Sequence, residues 1–174
     1  MSHPKRIGHV VLNVKDVEES TKFYTEVLGF HISKQSEILL EMSTVTATFL
    51  TCGKIHHDLA LFQSRIPYKT KDGLGLNHIA IQVEDFEALT AYYRILEPMN
   101  VIERCTDHGM TKSIYLTDPD GNGIELFCNS QENPAEGLKL MGSPDRKNKE
   151  LVFASPGGYF DSMSEMAWNA PPDK

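Results

Sequence analysis

The sequence predicts an α+β protein built from two tandem βαβββ modules, and three observations carry that reading. The first is an internal repeat: Ile7–Glu18 returns as Leu76–Glu87 at an offset of 69 residues. His9 meets His78, Val14 meets Val83, Asp16 meets Asp85 and Glu18 meets Glu87, and further on Thr21 meets Thr90 and Tyr24 meets Tyr93. Repeats of this kind are read before any single element, because they set the architecture. The second is that each copy opens on an apolar run of strand character, His9–Val14 and His78–Val83. The third is the aspartate that follows each run. Asp16 and Asp85 stand where a helix N-cap belongs, ahead of the helical patterns Val17–Leu28 and Phe86–Leu96.

The remaining elements follow in order. Gly29 suits the left-handed position that ends the first helix. Short strands are expected near His31–Lys34, Leu39–Glu41, Thr46–Leu50 and His57–Phe62, with Ile38–Thr51 readable as one hairpin or as two strands. In the second copy, Ile102–Cys105, Ser113–Thr117 and Gly123–Cys128 read as strands, the last two joined by the turn Asp118-Pro119-Asp120-Gly121. The modules are therefore 5–64 and 76–130, joined by a loop over 65–75 and followed by an extension over 131–174. That extension is rich in proline, yet Phe160, Met163, Met166 and Trp168 make a short helix near 160–169 the expectation, packed on the body or on a second subunit.

Composition narrows the function. A net charge of -7 argues against nucleic acid as the partner, since phosphate binding needs a basic surface. No apolar run reaches the roughly 18 residues of a membrane helix. The N-terminal Met-Ser-His-Pro-Lys-Arg lacks the apolar core of a signal peptide, and Cys52, Cys105 and Cys128 form no CxxC pair. Reduced thiols in a cytoplasmic protein are expected.

The repeat suggests a metal site. His9 and His78 occupy the same place in the opening strand of each module, so they can face one cleft. Aligning the last strands sets Leu59-Ala60-Leu61-Phe62 against Ile124-Glu125-Leu126-Phe127, which pairs Glu125 with Ala60. Glu125 either points to solvent or, within its apolar run, requires a metal or hydrogen-bond partner. Two histidines and one carboxylate form the facial triad of non-haem Fe(II) oxygen chemistry, while the same donor types also serve catalytic zinc. His57, His108 and Tyr115 are candidates for acid–base work on a bound substrate. His57 is equally readable as a strand-end histidine, His56 as its exposed neighbour, and His3 and His31 as surface residues.

The paired modules, with their His-x-x-x-x-Val-x-Asp openings, resemble the vicinal oxygen chelate superfamily. Within it, the run Thr106-x-His108, Ile114-Tyr115, Asp118-Pro119-x-Gly121 and Glu125 is similar to the signature of extradiol ring-cleaving catechol dioxygenases. His57-Asp58-Leu59-Ala60-Leu61 is similar to that family's strand bearing its acid–base histidine. The resemblance covers residues 5–130 and is closest to the smaller, two-module members. It implies a shared, partly open barrel-like sheet around a site where His9, His78 and Glu125 bind Fe(II), with Mn(II) as a substitute. It further implies that His57 moves protons and that His108 and Tyr115 hydrogen-bond the substrate, an aromatic diol opened by O2 in aromatic catabolism. A homo-oligomer is the expected assembly. The rivals are a glyoxalase-like isomerase or epimerase, and a non-enzymatic binder of small aromatics. The first generally wants a fourth ligand, which Ala60 removes.

Overall fold

The computed structural model describes residues 6–40, 43–64, 75–143 and 147–153. It is α+β, with two separate sheets rather than a closed barrel. In the first sheet β1 (Val10–Val14) and β4 (Leu59–Gln63) run parallel, followed by β3 (Ser43–Thr51) and β2 (His31–Leu40), in the order β1-β4-β3-β2. In the second, β5 (Ile79–Gln82) and β8 (Gly123–Asn129) run parallel, and β7 (Thr111–Thr117), β6 (Ile102–Asp107) and β9 (Lys149–Glu150) follow in the order β5-β8-β7-β6-β9. The two sheets repeat one topology, as the 69-residue offset requires.

Between the opening strands and the meanders lie the helices. Helix α1 (Val17–Lys22) is capped by Asp16, whose carboxylate accepts from the Glu18 and Glu19 amides. It widens into a π-helical stretch at Phe23–Val27, where the Leu28 amide reaches back to the Phe23 carbonyl. Helix α2 (Phe86–Leu96) is capped by Asp85 through the Ala88 amide. Strands β2 and β3 pair antiparallel from His31 with Thr51 to Leu40 with Ser43, so of the two readings over 38–51 the hairpin holds. Most of the described β2 side chains are exposed, which leaves few apolar residues to mark a strand.

One apolar core serves both modules. Leu12, Val14, Leu50, Leu59 and Leu61 of the first sheet join Leu89 and Leu96 of α2 and Ile114, Leu116, Ile124 and Leu126 of the second. Burial on this scale is the dominant stabilising term. Polar bonds fix the angle between the halves. Tyr24 Oη donates to Asp118 Oδ2 at 3.0 Å, Ser20 Oγ and the Lys15 amide donate to Asp120, and Tyr92 Oη donates to the Leu28 carbonyl. Asp118 is buried, yet it also accepts from the Asp120 amide and from the amide and side chain of Asn122, so its charge is satisfied.

The extension begins with a short helix, α3 (Pro134–Met141), in its proline-rich stretch. Proline suits the first helical turn, where its missing amide proton is no loss, and Asn133 caps the helix through the Ala135 amide. Strand β9 then adds to the edge of the second sheet. The expected helix at 160–169 and nearly all of the 65–75 loop lie outside the described residues. No described helix is long and apolar enough to cross a membrane.

Candidate metal centre and acid–base chain

Each sheet turns one face to the common core and leaves the other open. Strand alternation settles which side chains stand where. In the second sheet Ala80, Glu125, Tyr115 and Arg104 are ladder partners on four successive strands, so they share one rung and one face. Their alternating neighbours Ile114, Leu116, Ile124 and Leu126 fill the core. Of the two options for Glu125, the structure takes the hydrogen-bonded one.

On this open face the side chains form a continuous chain. His78 Nδ1 lies 2.7 Å from the Asn77 side-chain oxygen, and His78 Nε2 lies 3.0 Å from Glu125 Oε2. Tyr115 Oη donates to Glu125 Oε1 at 2.9 Å, and His108 Nε2 lies 2.9 Å from the same phenol oxygen. His108 Nδ1 is 3.0 Å from the Asn148 side-chain oxygen. The Glu125 side chain is only 12% exposed and His78 31%, so both reach the surface through a restricted opening. Burial raises the Tyr115 pKa above the ordinary phenol value, with the Glu125 hydrogen bond and charge adding to the rise and Arg104 opposing it. Tyr115 therefore keeps its proton and acts as a donor.

The donor set fits a divalent cation. His78 Nε2 and Glu125 Oε2, 3.0 Å apart, are an imidazole nitrogen and a carboxylate oxygen, donors of the kind that would hold such an ion. Asn77 Oδ1 can accept a hydrogen bond from the Nδ1–H of His78, which leaves Nε2 as the nitrogen that would coordinate, the usual way an outer partner orients a ligating imidazole. Glu125 is likewise held from behind by Tyr115.

His9 is elsewhere. It stands on the open face of the first sheet, its ring centroid 4.4 Å from that of His57, which lies 5.1 Å from Phe49. Among the described residues, no three His, Cys, Asp or Glu side chains come together closely enough to hold a metal ion. The structure thus joins His78, Glu125, Tyr115 and His108 into one group and His9 and His57 into another, and does not merge the two within one chain. His57 does not begin β4. Its neighbour Asp58 turns inward to accept from the Cys52 amide and Thr51 Oγ1, so pairing to β3 starts at Leu59 and His57 closes a pinned loop. Partial burial, then the His9 and His56 imidazoles, lower the His57 pKa below its ordinary value, with Asp58 opposing. The loop borders an open cleft of about 590 Å³ lined by Lys34, Ile38, Phe49 and His57 among others. His56 and His31 are exposed, as expected, and His3 lies outside the described residues.

Three residues of the second group were missed from sequence. Asn77 was hidden beside its more conspicuous neighbour. Arg104 faces Tyr115 because β6 bulges between Ile102 and Arg104, which leaves Glu103 as the extra residue. Asn148 belongs to the extension, where no repeat marks a partner.

The protein is thus a tandem βαβββ protein with an imidazole–carboxylate pair on an open sheet face, an architecture shared with known proteins. Residues 6–126 match the Glyoxalase/Bleomycin resistance protein/Dioxygenase superfamily, and this chain belongs to that superfamily. Biphenyl-2,3-diol 1,2-dioxygenase 3 of Rhodococcus globerulus is 30% identical over 145 residues, which is 81% of this chain and 72% of that protein. The metallothiol transferase FosB of Staphylococcus saprophyticus is 33% identical over 136 residues, 76% of this chain and 83% of that protein. The crystal structure of the fosfomycin resistance protein FosX of Listeria monocytogenes with Mn(II) and sulfate superimposes with a TM-score of 0.57 over 76% of this chain and 99% of that one, at 19% identity. That likeness is one of fold.

Proposed function

We propose that this protein opens an aromatic diol beside its hydroxyl-bearing carbons, using O2 at an Fe(II) held by His78, Glu125 and His9. The observation that carries the reading is the unbroken chain from Asn77 through His78, Glu125 and Tyr115 to His108, which joins a ligand pair to a phenol and an imidazole on one open face. The kinship with a biphenyl-diol dioxygenase supports it. Mn(II) is a second metal of suitable donor preference. When bound, the metal supplies the electronic path between diol and O2. The protein supplies the rest. Tyr115 keeps its proton and can turn from Glu125 to a substrate oxygen, and His108 orients the phenol from behind. His57 accepts a proton from the diol.

In this reading His9 comes from a second copy. The open face bearing His9 and His57 in one chain covers the open face bearing His78 and Glu125 in its partner, and twofold symmetry makes the exchange twice. The strands β1 and β5, edge strands among the described residues, are where such copies can meet. The assembly is thus a homodimer or a higher oligomer built from it.

The experiment is anaerobic loading with Fe(II), followed by O2 and a panel of catechols. A yellow ring-opened semialdehyde product with one O2 consumed per diol is expected. Full iron occupancy without O2 uptake on any diol refutes the reading. A second reading, metal-dependent thiol transfer, is favoured by the likeness to the metallothiol transferase FosB. It is distinguished by thiol consumption without O2.

A further inference from the structure

We infer that Arg104 is the subsite for an acidic substituent, so that the diol this protein takes carries a carboxylate. The inference rests on the diol reading above and names its substrate class.

Arg104 is the direct ladder partner of Tyr115 and stands on the same open face. Its guanidinium carbon lies 3.8 Å from the centroid of the Tyr115 ring. That contact seats the guanidinium over the phenol ring, and a hydrogen bond to Tyr115 uses one of its N–H donors, so the others remain open to a ligand. The residue is exposed, and among the described residues no carboxylate pairs with it. This is notable in a chain with 24 acidic and 17 basic residues, where a spare carboxylate is easily found. The cation is instead kept open within the site.

Its place on the rung puts the charge on the far side of Tyr115 from Glu125. Arg104, Tyr115 and Glu125 lie on one rung across three adjacent strands. Two strand spacings separate Arg104 from Glu125, roughly 10 Å between backbones. A diol held through its oxygens at His78 and Glu125 lays its ring toward Tyr115 and carries a substituent on the remote side of the ring to Arg104. A neutral substituent there strips water from the guanidinium and offers nothing in return. A carboxylate replaces that water with paired, charge-assisted hydrogen bonds of matching geometry. The charge at the far end of the rung therefore selects the substrate, while Tyr115 and Glu125 do the chemistry.

The test uses the full-length protein loaded anaerobically with Fe(II). Calorimetry compares 3-(2,3-dihydroxyphenyl)propanoate with its methyl ester, for wild type, Arg104→Met and Arg104→Lys. The acid should bind wild type at least about tenfold more tightly than the ester, the smallest ratio that a charge-assisted bond produces. Arg104→Met should bring the acid down to the affinity of the ester while leaving the ester within about twofold, and Arg104→Lys should recover part of the difference. Unchanged thermal midpoints identify these as effects on binding. Equal binding of acid and ester by wild type, or equal weakening of both by Arg104→Met, overturns the inference. An Arg104-dependent preference for the acid without ring opening under O2 leaves the anion subsite standing and removes the dioxygenase reading. Ring opening of acid and ester with equal affinity and rate does the reverse.

Discussion

Replacing Gly123 with alanine tests whether the proposed metal centre depends on the close approach of two backbones. Gly123 opens β8, two residues before Glu125, and packs on the start of β5. A methyl group there comes within 2.5 Å of the Asn77 carbonyl oxygen, 3.2 Å of His78 Cβ and 3.4 Å of His78 Cα. Ordinary carbon–oxygen contacts are longer, so the Asn77–His78 backbone must retreat by roughly 0.5–1 Å. Overpacking of this kind costs about 1–3 kcal/mol. In a chain of this size that is a fall of about 3–10 °C in thermal midpoint. The larger effect is local, because the retreat carries His78 away from Glu125 and disturbs its bond to Asn77. Displacing a ligand and its supporting partner typically costs ten- to a hundredfold in metal affinity. The assay is Fe(II) or Zn(II) titration by calorimetry under anaerobic conditions, with Gly137→Ala as the reference. Gly137 lies in α3 with nothing within 4 Å of an added methyl, so the same chemical change should leave affinity untouched and add slightly to stability. Metal affinity in Gly123→Ala within twofold of wild type would refute the coupling between this backbone contact and the site.

Other perturbations separate the remaining claims. Mixing His9→Ala with Glu125→Ala should restore activity to about a quarter of wild type, since half of randomly paired dimers carry one intact composite site. A mixture as inactive as its parents places His9 and Glu125 in the same chain's site. Tyr115→Phe should retain stoichiometric iron while turnover falls by about 10²–10³-fold; iron loss in this variant contradicts the donor role and indicates a structural one. Asp118→Ala removes the acceptor of four hydrogen bonds, one from the buried Tyr24, and should cost about 3–5 kcal/mol in urea unfolding. Tyr24→Phe leaves the other donors in place and should cost about 1–2 kcal/mol. A reversed order of the two would mean that Asp118 is not the anchor between modules.

The fold was legible because duplication wrote it twice. Asp16 and Asp85 cap their helices as their position implied, and the alternation around Ile114–Leu116 and Ile124–Leu126 marked two strands of the second sheet correctly. Strand β2 was harder, since an exposed edge strand needs no apolar alternation to stay paired. The candidate site was half legible. His78, Glu125, Tyr115 and His108 share a module, so local spacing and strand parity bring them together. His9 is related to them only through how one module sits on another, which a repeat does not specify: the same two half-sites can close within a chain or between chains. Arg104 depended on a bulge, where one extra residue changes which side chain meets Tyr115. Asn148 lies beyond the repeat, and no pattern connected it to His108.

The corresponding rungs of the two sheets have a further consequence. In the first, Val11, Ala60 and Phe49 occupy the places that Ala80, Glu125 and Tyr115 hold in the second. Duplication left one rung all hydrocarbon and put a carboxylate and a phenol on the other. The two can drift separately: a change at Phe49 or Ala60 alters the contour of a wall, whereas a change at Tyr115 or Glu125 alters reactivity. A scaffold divided in this way can be fitted to new molecules by mutation of one half while the other is left intact.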